Sequence, residues 1–399
     1  MSADRHSVEV VLEPGTVIDG KYQVIGKLGQ GEVGVVYKAR ALDLRRISAI
    51  KMLTHGDADT RVGFLGRAAL LGNVTHRAVV RVDDFGDDPD GGPYLAMAYY
   101  PGWDLAAYAR RGPVAPQEAV DLILAVCSGV CACHDHSIIH GALKPNNVRV
   151  TTMPTWQDRI KILDCGLVPP PCTAREPSAA HLAACAEYPE RYRYLAPELL
   201  RPASPSKSGD QYGIASLFYL LLTGQAPYHD REGEALTRAI IRGDYPPLAL
   251  VRPGLPQLIH SAVARGLHAD PDQRFPSVGD FANAILPESS PELRNRWTDY
   301  FYRATHGIDH RLMEPVSACH SDSQPPAPFA RIVAPLVDLS GAPGFPFAPP
   351  LAQPLEATQP VGKPPIGARV AFAWGIGLGL TLPTLVFLVY LIVHKAVAP

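Results

Sequence analysis

The glycines Gly29, Gly31 and Gly34 follow the spacing G-x-G-x-x-G. Because glycine has no side chain, a turn with this spacing can fold its backbone N–H groups over a triphosphate. A glycine-rich turn alone is a weak signal, because such turns are frequent.

A second informative segment is His140–Asn147, which reads His-Gly-Ala-Leu-Lys-Pro-Asn-Asn. It resembles the catalytic loop of protein kinases, H-R-D-L-K-P-x-N, in which the Asp accepts the proton of the substrate hydroxyl. Ala142 stands at that Asp position, and a methyl group can neither accept nor orient a proton. Lys144 is retained, and by this resemblance it would lie near the transferred phosphate. General-base assistance is worth about 10²–10⁴-fold in rate, so its loss predicts weak or absent phosphate transfer.

Further motifs occur in the order and spacing of the same family: an A-x-K that ends at Lys51, a D-x-G that begins at Asp164, and an A-P-E that ends at Glu198. The chain therefore resembles the bacterial eukaryotic-type (Hanks-type) Ser/Thr protein kinases, as a degenerate member. The resemblance implies that Glu198 pairs with Arg274 inside the large lobe. It implies ATP or ADP with Mg²⁺ as the ligand, with Asn147 and Asp164 holding the metal. The nucleotide-binding residues that it implies are Leu28, Gly29, Gly31, Gly34, Val36, Ala49, Lys51, Asn147 and Asp164.

The elements that must position these residues give an α+β fold. Short alternating strands open the globular region and helical periodicity follows, so the resemblance implies a small β-rich lobe and a larger helical lobe. Trp297, Tyr300, Phe301 and Ala304 recur at i, i+3, i+4 and i+7, which predicts one extra helix. The predicted organisation is a lead at 1–20, a kinase-like domain at 21–287, an extra helix within 288–320, a Pro-rich disordered linker at 321–369, a transmembrane helix at 370–393 and a short tail at 394–399.

The segment 370–393 contains no charged residue and would be about 36 Å long as a helix, enough to cross a bilayer core of about 30 Å. The first residues of the chain have no apolar core, so no signal peptide is expected and the kinase-like domain is placed in the cytoplasm of a cell-membrane protein with a single span. Within the span, Ala371, Gly375 and Gly379 lie four residues apart. This spacing allows two helices to approach closely, and it predicts a homodimer contact.

The composition of the chain also bears on other classes of function. A formal charge of −2 gives no electrostatic basis for binding nucleic acid. The seven cysteines have no regular spacing, which fits a reducing compartment. A metal site is one interpretation of the cluster Cys127, Cys131, Cys133, His134, His136 and His140. We favour the alternative, in which small apolar residues and free cysteines pack the helix that supports the catalytic loop.

Four departures from the family pattern accompany Ala142. Arg67 falls where the family has a Glu partner for the nucleotide-site lysine, and no Glu lies between residues 51 and 76. Arg67 is expected either to repel that lysine or to turn toward a phosphate, which leaves Asp164 as the remaining partner. Gly141 replaces the Arg that contacts a phosphorylated activation loop. Arg191 replaces a Thr, and Cys165 replaces the Phe of D-F-G, which predicts an underfilled contact between the lobes.

Arg149 is a separate case, because the family usually has an apolar residue there under the adenine. Its aliphatic stem is expected to pack while its charge swings out of the cleft. Most groups that contact nucleotide thus survive, whereas groups that orient substrate do not. We interpret the chain as a membrane-anchored ATP-binding pseudokinase that serves as scaffold or regulator of a protein partner, such as an active kinase. Two alternatives stay open: a low-activity Ser/Thr kinase that transfers the γ-phosphate without the Asp, and a nucleotide-free membrane scaffold.

Overall fold

The structure is a computed structural model that describes residues 12–31, 34–54, 58–89, 91–153, 155, 158–167, 192–200 and 203–305. Arg191, the predicted linker, the predicted membrane helix and its small-residue face lie outside the described residues, as does the last part of the range predicted to hold an extra helix.

The first lobe is a six-stranded antiparallel sheet with one helix, α1 (Ala58–Gly72), packed on one face. The strand order is β1-β2-β3-β4-β6-β5. Apolar residues that alternate along β3 and β4 bury one side of the sheet, which is the reason these short segments pair as strands. The bounds are β1 Val17–Ile18, β2 Tyr22–Gln30, β3 Gly34–Ala41, β4 Ile47–Leu53, β5 Val82–Asp88 and β6 Gly92–Ala98.

A second, three-stranded sheet lies beyond the connection that follows β6, and its order is β7-β8-β9. Its strands are β7 Gly102–Asp104, β8 Val148–Thr151 and β9 Ile160–Ile162. Gly102 has φ +142°, and a Cβ there would lie 2.1 Å from the Val150 carbonyl oxygen, so only glycine allows β7 to approach β8 this closely. This small sheet positions both Asn147, directly before β8, and Asp164, two residues after β9.

The second lobe is helical. Its helices are α2 Leu105–Ala109, α3 Pro116–Asp135, α4 Lys207–Thr223, α5 Gly233–Arg242, α6 Leu248–Val251, α7 Gln257–Gly266, α8 Val278–Ile285 and α9 Pro291–Thr305. α3 and α4 are buried along nearly their whole length and form the core. Ser206 caps α4 by accepting from the Gly209 N–H, and Gly224 ends it with φ +78°.

The last helix, α9, lies within the range 288–320 where the sequence predicts one more helix. Phe301 is fully buried in the helical core, and the Tyr300 hydroxyl donates to the Ser128 carbonyl of α3 at 2.9 Å. The Tyr300 ring also lies 6.0 Å from the ring of His76, in the connection between α1 and β5. α9 therefore packs on α3 and also contacts the segment that follows α1.

Candidate nucleotide cleft

A cleft of about 430 Å³ lies between the two lobes. Nearly all of the residues that the sequence assigns to nucleotide line it, although they are distributed over 137 positions of the chain from 28 to 164. The lining residues among those predicted are Leu28, Gly29, Gly31, Val36, Ala49, Lys51, Lys144, Asn147 and Asp164. Gly34 is not among the lining residues. A Cβ at Gly34 would lie 1.8 Å from the Met52 carbonyl oxygen, so close backbone packing between β3 and β4 requires glycine there.

Lys51 and Asp164 meet at the back of this cleft. Lys51 lies on β4, only 3% of its side chain is exposed, and its Nζ is 2.8 Å from Asp164 Oδ2. The interpretation that Asp164 is the remaining partner of Lys51 is confirmed. Burial alone would raise the pKa of Asp164, but the Lys51 ammonium outweighs it and the pKa is lowered. Asp164 is therefore an ionised carboxylate at neutral pH.

The backbone at Asp164 is in the left-handed region, with φ +60°. Asp tolerates this region better than most residues, but the conformation is still uncommon outside glycine. The ion pair with Lys51 and the bond from the Leu167 N–H to the Asp164 carbonyl hold it. Such a conformation is frequent at functional sites, where the surrounding structure fixes an unfavourable backbone.

Asn147 lies next to Asp164 in the cleft lining, and its side chain is tied to the catalytic-loop position. Its Nδ2 donates to the Ala142 carbonyl at 2.9 Å, which leaves the amide oxygen as the atom able to ligate a cation. Asp164 adds one carboxylate. These two donors fit one Mg²⁺ that is completed by phosphate oxygens and water, since Mg²⁺ commonly uses one or two carboxylates of the protein. The Ala142 side chain is buried and adds no ligand.

Asp210 of α4 holds the backbone of the catalytic-loop segment through hydrogen bonds. Its Oδ2 accepts from the His140 N–H at 2.8 Å and lies 2.8 Å from His134 Nε2, and its Oδ1 accepts from the Gly141 N–H at 2.8 Å. Gly141 has φ +72°, and a Cβ there would lie 3.3 Å from Pro205 Cβ. The loop frame is therefore maintained although the Arg and Asp side chains of the family motif are absent.

Arg67 takes a direction that the sequence did not predict. It is not among the residues that line the cleft. Its guanidinium folds back along α1 over Gly63, where a Cβ would lie 3.4 Å from Arg67 Nη1. In the described part of the chain, its Nε is buried without a hydrogen-bond partner. The Arg67 guanidinium therefore lies along its own helix, and the expectation that it repels Lys51 or turns toward a phosphate stays a prediction.

Arg149 also differs from expectation. Its stem lines the cleft, but its charge does not swing out: Nε donates to the Tyr100 carbonyl at 2.6 Å and Nη2 to the Gly102 carbonyl at 2.7 Å. The pairing of Arg149 with Asp104 in the β7–β8 register directs the side chain toward these carbonyls. A cation with five donors satisfies two backbone acceptors at once, which fixes the inter-lobe connection.

The sequence interpretation missed the lining residues of that connection, Met97–Tyr100, together with Asp104. Met97 and Ala98 end the apolar strand β6, Tyr99 and Tyr100 follow it, and Asp104 ends β7, so the position of this segment between the two lobes was the available signal. Asp104 caps α2 by accepting from the Ala107 N–H at 2.6 Å.

Cys165 is buried and belongs to a hydrophobic cluster with residues of β4, β6, α1 and α3. The Cys165 thiol forms a hydrogen bond with the thiol of Cys133. This bond, together with burial, raises the pKa of Cys165 well above its ordinary value. Cys127 and Cys131 are buried on α3. Among the described residues, no group of three or more His, Cys, Asp or Glu side chains is arranged to hold a metal ion.

Glu198 and Arg274 form the second predicted pair, and the structure confirms it. Arg274 Nη1 and Nη2 donate to the two carboxylate oxygens of Glu198 at 2.9 and 2.8 Å. Nη1 also donates to the Ser208 carbonyl at the start of α4. A two-pronged pair of this kind is geometrically specific, and it fixes the segment 192–200 against the helical core.

A two-lobed fold with a cleft between the lobes, in which a buried lysine of the sheet lobe pairs with an aspartate, is typical of the protein kinase class. Comparison with known proteins agrees: the family model described as protein kinase domain matches residues 22–278. The chain belongs to the protein kinase family.

Similar proteins are mycobacterial. The chain is 30% identical over 348 residues to serine/threonine-protein kinase PknE of Mycobacterium bovis, covering 86% of this chain and 57% of that protein. It is 28% identical over 289 residues to serine/threonine-protein kinase PknH of the same species, covering 71% of this chain and 47% of that protein. The chain thus spans about half the length of these curated relatives.

Two solved structures share the fold. The PknI kinase domain of Mycobacterium tuberculosis matches with a TM-score of 0.54 and 24% identity, over 70% of this chain and all of that chain. Rad53 residues 1–466, in complex with AMP-PNP, matches with a TM-score of 0.55 and 22% identity, over 68% of this chain and 66% of that chain.

One described helix, α3, is long and apolar enough to cross a membrane by composition. It is mostly buried inside the helical lobe, as expected for a core helix.

Proposed function

We propose that the chain is a membrane-anchored, ATP-binding pseudokinase that acts as scaffold or regulator of a protein partner. The observation that carries the proposal is a contrast within one loop. Asn147 and Asp164 both line the cleft, and the Asn147 amide donates to the carbonyl of Ala142, whose side chain has no group able to accept a proton. The groups that bind a nucleotide are therefore present and the group that activates a substrate hydroxyl is absent.

The open volume of the cleft favours nucleotide binding over a nucleotide-free scaffold. In the scaffold alternative Arg67, Arg149 and Arg191 fill or close the cleft. Of the two that the structure describes, Arg67 folds along its own helix and Arg149 bonds the connection between the lobes. About 430 Å³ remains, a volume within the range of small-molecule sites. The complex of Rad53 with AMP-PNP supports the same ligand class for this fold.

The low-activity kinase remains the second candidate, and the intact loop frame favours it. Asp210 holds the backbone at His140 and Gly141, and phosphate transfer depends mainly on positioning and charge neutralisation. The relatives named serine/threonine-protein kinases support this chemistry. In this interpretation the groups that would act without the base are Lys51, Lys144, Asn147 and Asp164.

The decisive experiment measures phosphate transfer from γ-labelled ATP by residues 1–320, beside the Asp164→Ala variant, with Mg²⁺ and with Mn²⁺. The pseudokinase proposal expects equal background label in both proteins, together with a rise in melting temperature on addition of ATP. Label that disappears in Asp164→Ala would make the protein an enzyme. The same melting curve without any ATP-dependent shift would favour the nucleotide-free scaffold.

The membrane anchor and the oligomer are proposals of their own. The span 370–393 is proposed to fix the kinase-like domain to the cytoplasmic face, and Ala371, Gly375 and Gly379 are proposed to form a dimer contact. Carbonate-resistant membrane association of the full chain, and its loss on deletion of 370–393, tests the anchor. Substitution of Gly375 by Leu is expected to abolish cross-linking between full-length copies.

A further inference from the structure

Arg149 carries a positive charge into the lining of the cleft. Its hydrogen-bond partners are the carbonyls of Tyr100 and Gly102, at 2.6 and 2.7 Å, and both of these groups are neutral. In the ranges that the structure describes, no carboxylate pairs with Arg149. Asp104 is its register partner on β7, but the Asp104 carboxylate caps α2 instead. The charge of Arg149 is therefore not balanced by an acid of the described chain.

The guanidinium of Arg149 is planar, and it donates through its edge. Nε and Nη2 each donate to a carbonyl of the connection between the lobes, so the plane is held at two points. Hydrogen bonds from a guanidinium lie in its plane, and the two faces take no part in them. The side chain is half-buried and lines the cleft, which leaves a flat cationic surface for a further contact.

Arg149 lies two residues after Asn147, where β8 begins. Val148 between them is fully buried in the helical core, whereas both neighbours line the cleft. Side chains two positions apart in an extended segment are about 6–7 Å apart on the same face. That separation is comparable to the span of the ribose that joins a base to its phosphates. A nucleotide with its phosphates at Asn147 and Asp164 would therefore bring its base to Arg149.

The other groups of the cleft suit a flat ligand. Leu28, Val36 and Ala49, on β2, β3 and β4, give the sheet lobe an apolar wall in the lining. Apolar walls with a few placed polar groups are typical of small-molecule sites. Unpaired bases stack on Arg guanidinium planes in nucleic-acid complexes. The attraction between a cation and the face of an electron-rich ring strengthens when water is excluded, as it is between two walls of a cleft.

We propose that Arg149 is a specificity-determining residue of this cleft. One face of its guanidinium stacks on the base of the bound nucleotide, and the cation–π attraction selects an electron-rich purine. This inference rests on the proposed nucleotide binding and deepens it. The two bonds to the lobe connection hold the guanidinium in place before the ligand arrives, so little side-chain freedom is lost on binding.

ATP and 7-deaza-ATP distinguish stacking from other contacts with the base. Replacing N7 by a C–H group makes the ring more electron-rich and leaves the N1 and N6 edge and the triphosphate unchanged. In calorimetric titration of the full chain, purified in detergent with Mg²⁺, the Kd of 7-deaza-ATP is expected to be about threefold lower than that of ATP. Equal Kd values, or weaker binding of 7-deaza-ATP, would overturn this inference and leave the proposed function standing. Absence of binding of both ligands would overturn the proposed function, and this inference with it.

Two variants locate the preference at Arg149. Arg149→Met keeps a long side chain without the charge, and the ratio of the two Kd values is expected to fall to about one. The ratio is compared, and not the affinity for ATP, because methionine can itself pack against a base. Arg110→Met removes one charge at an exposed position and should keep the wild-type ratio.

A wild-type ratio in Arg149→Met would mean that another group prefers the electron-rich ring, and it would contradict the inference. If Arg149→Met does not fold, Arg149→Gln gives the same comparison, because its neutral amide can still donate to a carbonyl of the lobe connection. The wild-type ratio also decides by itself, since a stacked guanidinium requires tighter binding of 7-deaza-ATP.

Discussion

Lys51 Nζ lies 2.8 Å from Asp164 Oδ2, and α1, the helix that packs on this sheet, contains no glutamate. The pair joins β4 of the sheet lobe to the segment that follows β9. The ion pair between Lys51 and Asp164 therefore links the two lobes at the back of the cleft. Because Lys51 is almost fully buried, its ammonium has lost most of its contact with water. The Asp164 carboxylate offsets the cost of burying that charge.

Removing this cation should destabilise the protein. Lys51→Met leaves the Asp164 carboxylate without a partner, and we expect a loss of about 2–3 kcal/mol in the free energy of unfolding, since one-fifth of the Asp164 side chain remains exposed. The lowered pKa of Asp164 means that the pair contributes fully above about pH 4 and that this contribution disappears as the pH falls through the lowered pKa. Denaturant unfolding at neutral and acid pH measures both effects. Lys51→Arg, which keeps the charge, should lose less; an equal loss would show that charge is not the cause.

Gly141 should resist substitution by any residue with a side chain. Its φ of +72° and the 3.3 Å approach to Pro205 Cβ predict that Gly141→Ala costs about 1 kcal/mol, and Gly141→Arg at least as much. Gly66→Ala on α1 is the matched control, because nothing lies within 4 Å of its added Cβ and helix propensity predicts a gain of about 0.5–1 kcal/mol. Thermal unfolding of the two alanine variants should move the melting temperature in opposite directions.

Arg149 should rigidify the connection between the lobes. Arg149→Lys keeps a cation but cannot donate in the same fork to the Tyr100 and Gly102 carbonyls. We expect backbone amides of residues 99–104 to exchange with solvent about tenfold faster in this variant. Hydrogen-exchange mass spectrometry gives the measurement, with Arg110→Lys at an exposed position as the control. Unchanged exchange in this segment would argue that β7–β8 pairing alone fixes the connection.

Asp121 gives a pH dependence at the junction of α3 and α9. Burial raises its pKa to about 6, although it accepts from the Ser290 N–H. An acid with a raised pKa binds protons more tightly in the folded state, so stability should fall as pH rises from about 4 to about 6. Asp121→Asn keeps the acceptor and removes the charge, and it should stabilise the protein by about 1–3 kcal/mol at pH 7.5 and much less at pH 4.5. A gain independent of pH would exclude titration of Asp121 as the cause.

Tyr300 should contribute through its hydroxyl as well as its ring. Tyr300→Phe keeps the packing of α9 on the helical lobe but removes the donor to the Ser128 carbonyl, and we expect a loss of about 1 kcal/mol. Tyr302→Phe, at an exposed position on the same helix, should change the melting temperature less. If both variants were equal to wild type, the bond would contribute nothing to stability.

The sequence by itself determined the family, the order of the elements and the chemistry of the loop. The motif spacing predicted that Lys51, Asn147 and Asp164 lie in the same cleft, because a fixed strand order places residues distant in sequence side by side. It also left Asp164 as the remaining partner for Lys51, and the family resemblance implied the pair Glu198–Arg274; both pairs are present in the structure. The replacement of the catalytic Asp by Ala142 was visible without coordinates.

Only the tertiary structure decided the directions of the long cationic side chains. Arg67 and Arg149 have several rotatable bonds, so sequence position fixes where each begins and not where its charge ends. The space over Gly63 accepts one guanidinium, and two carbonyls of the lobe connection accept the other. The sharing of Asp210 among His134, His140 and Gly141 likewise depends on the packing of α4 under the loop, which no local pattern specifies.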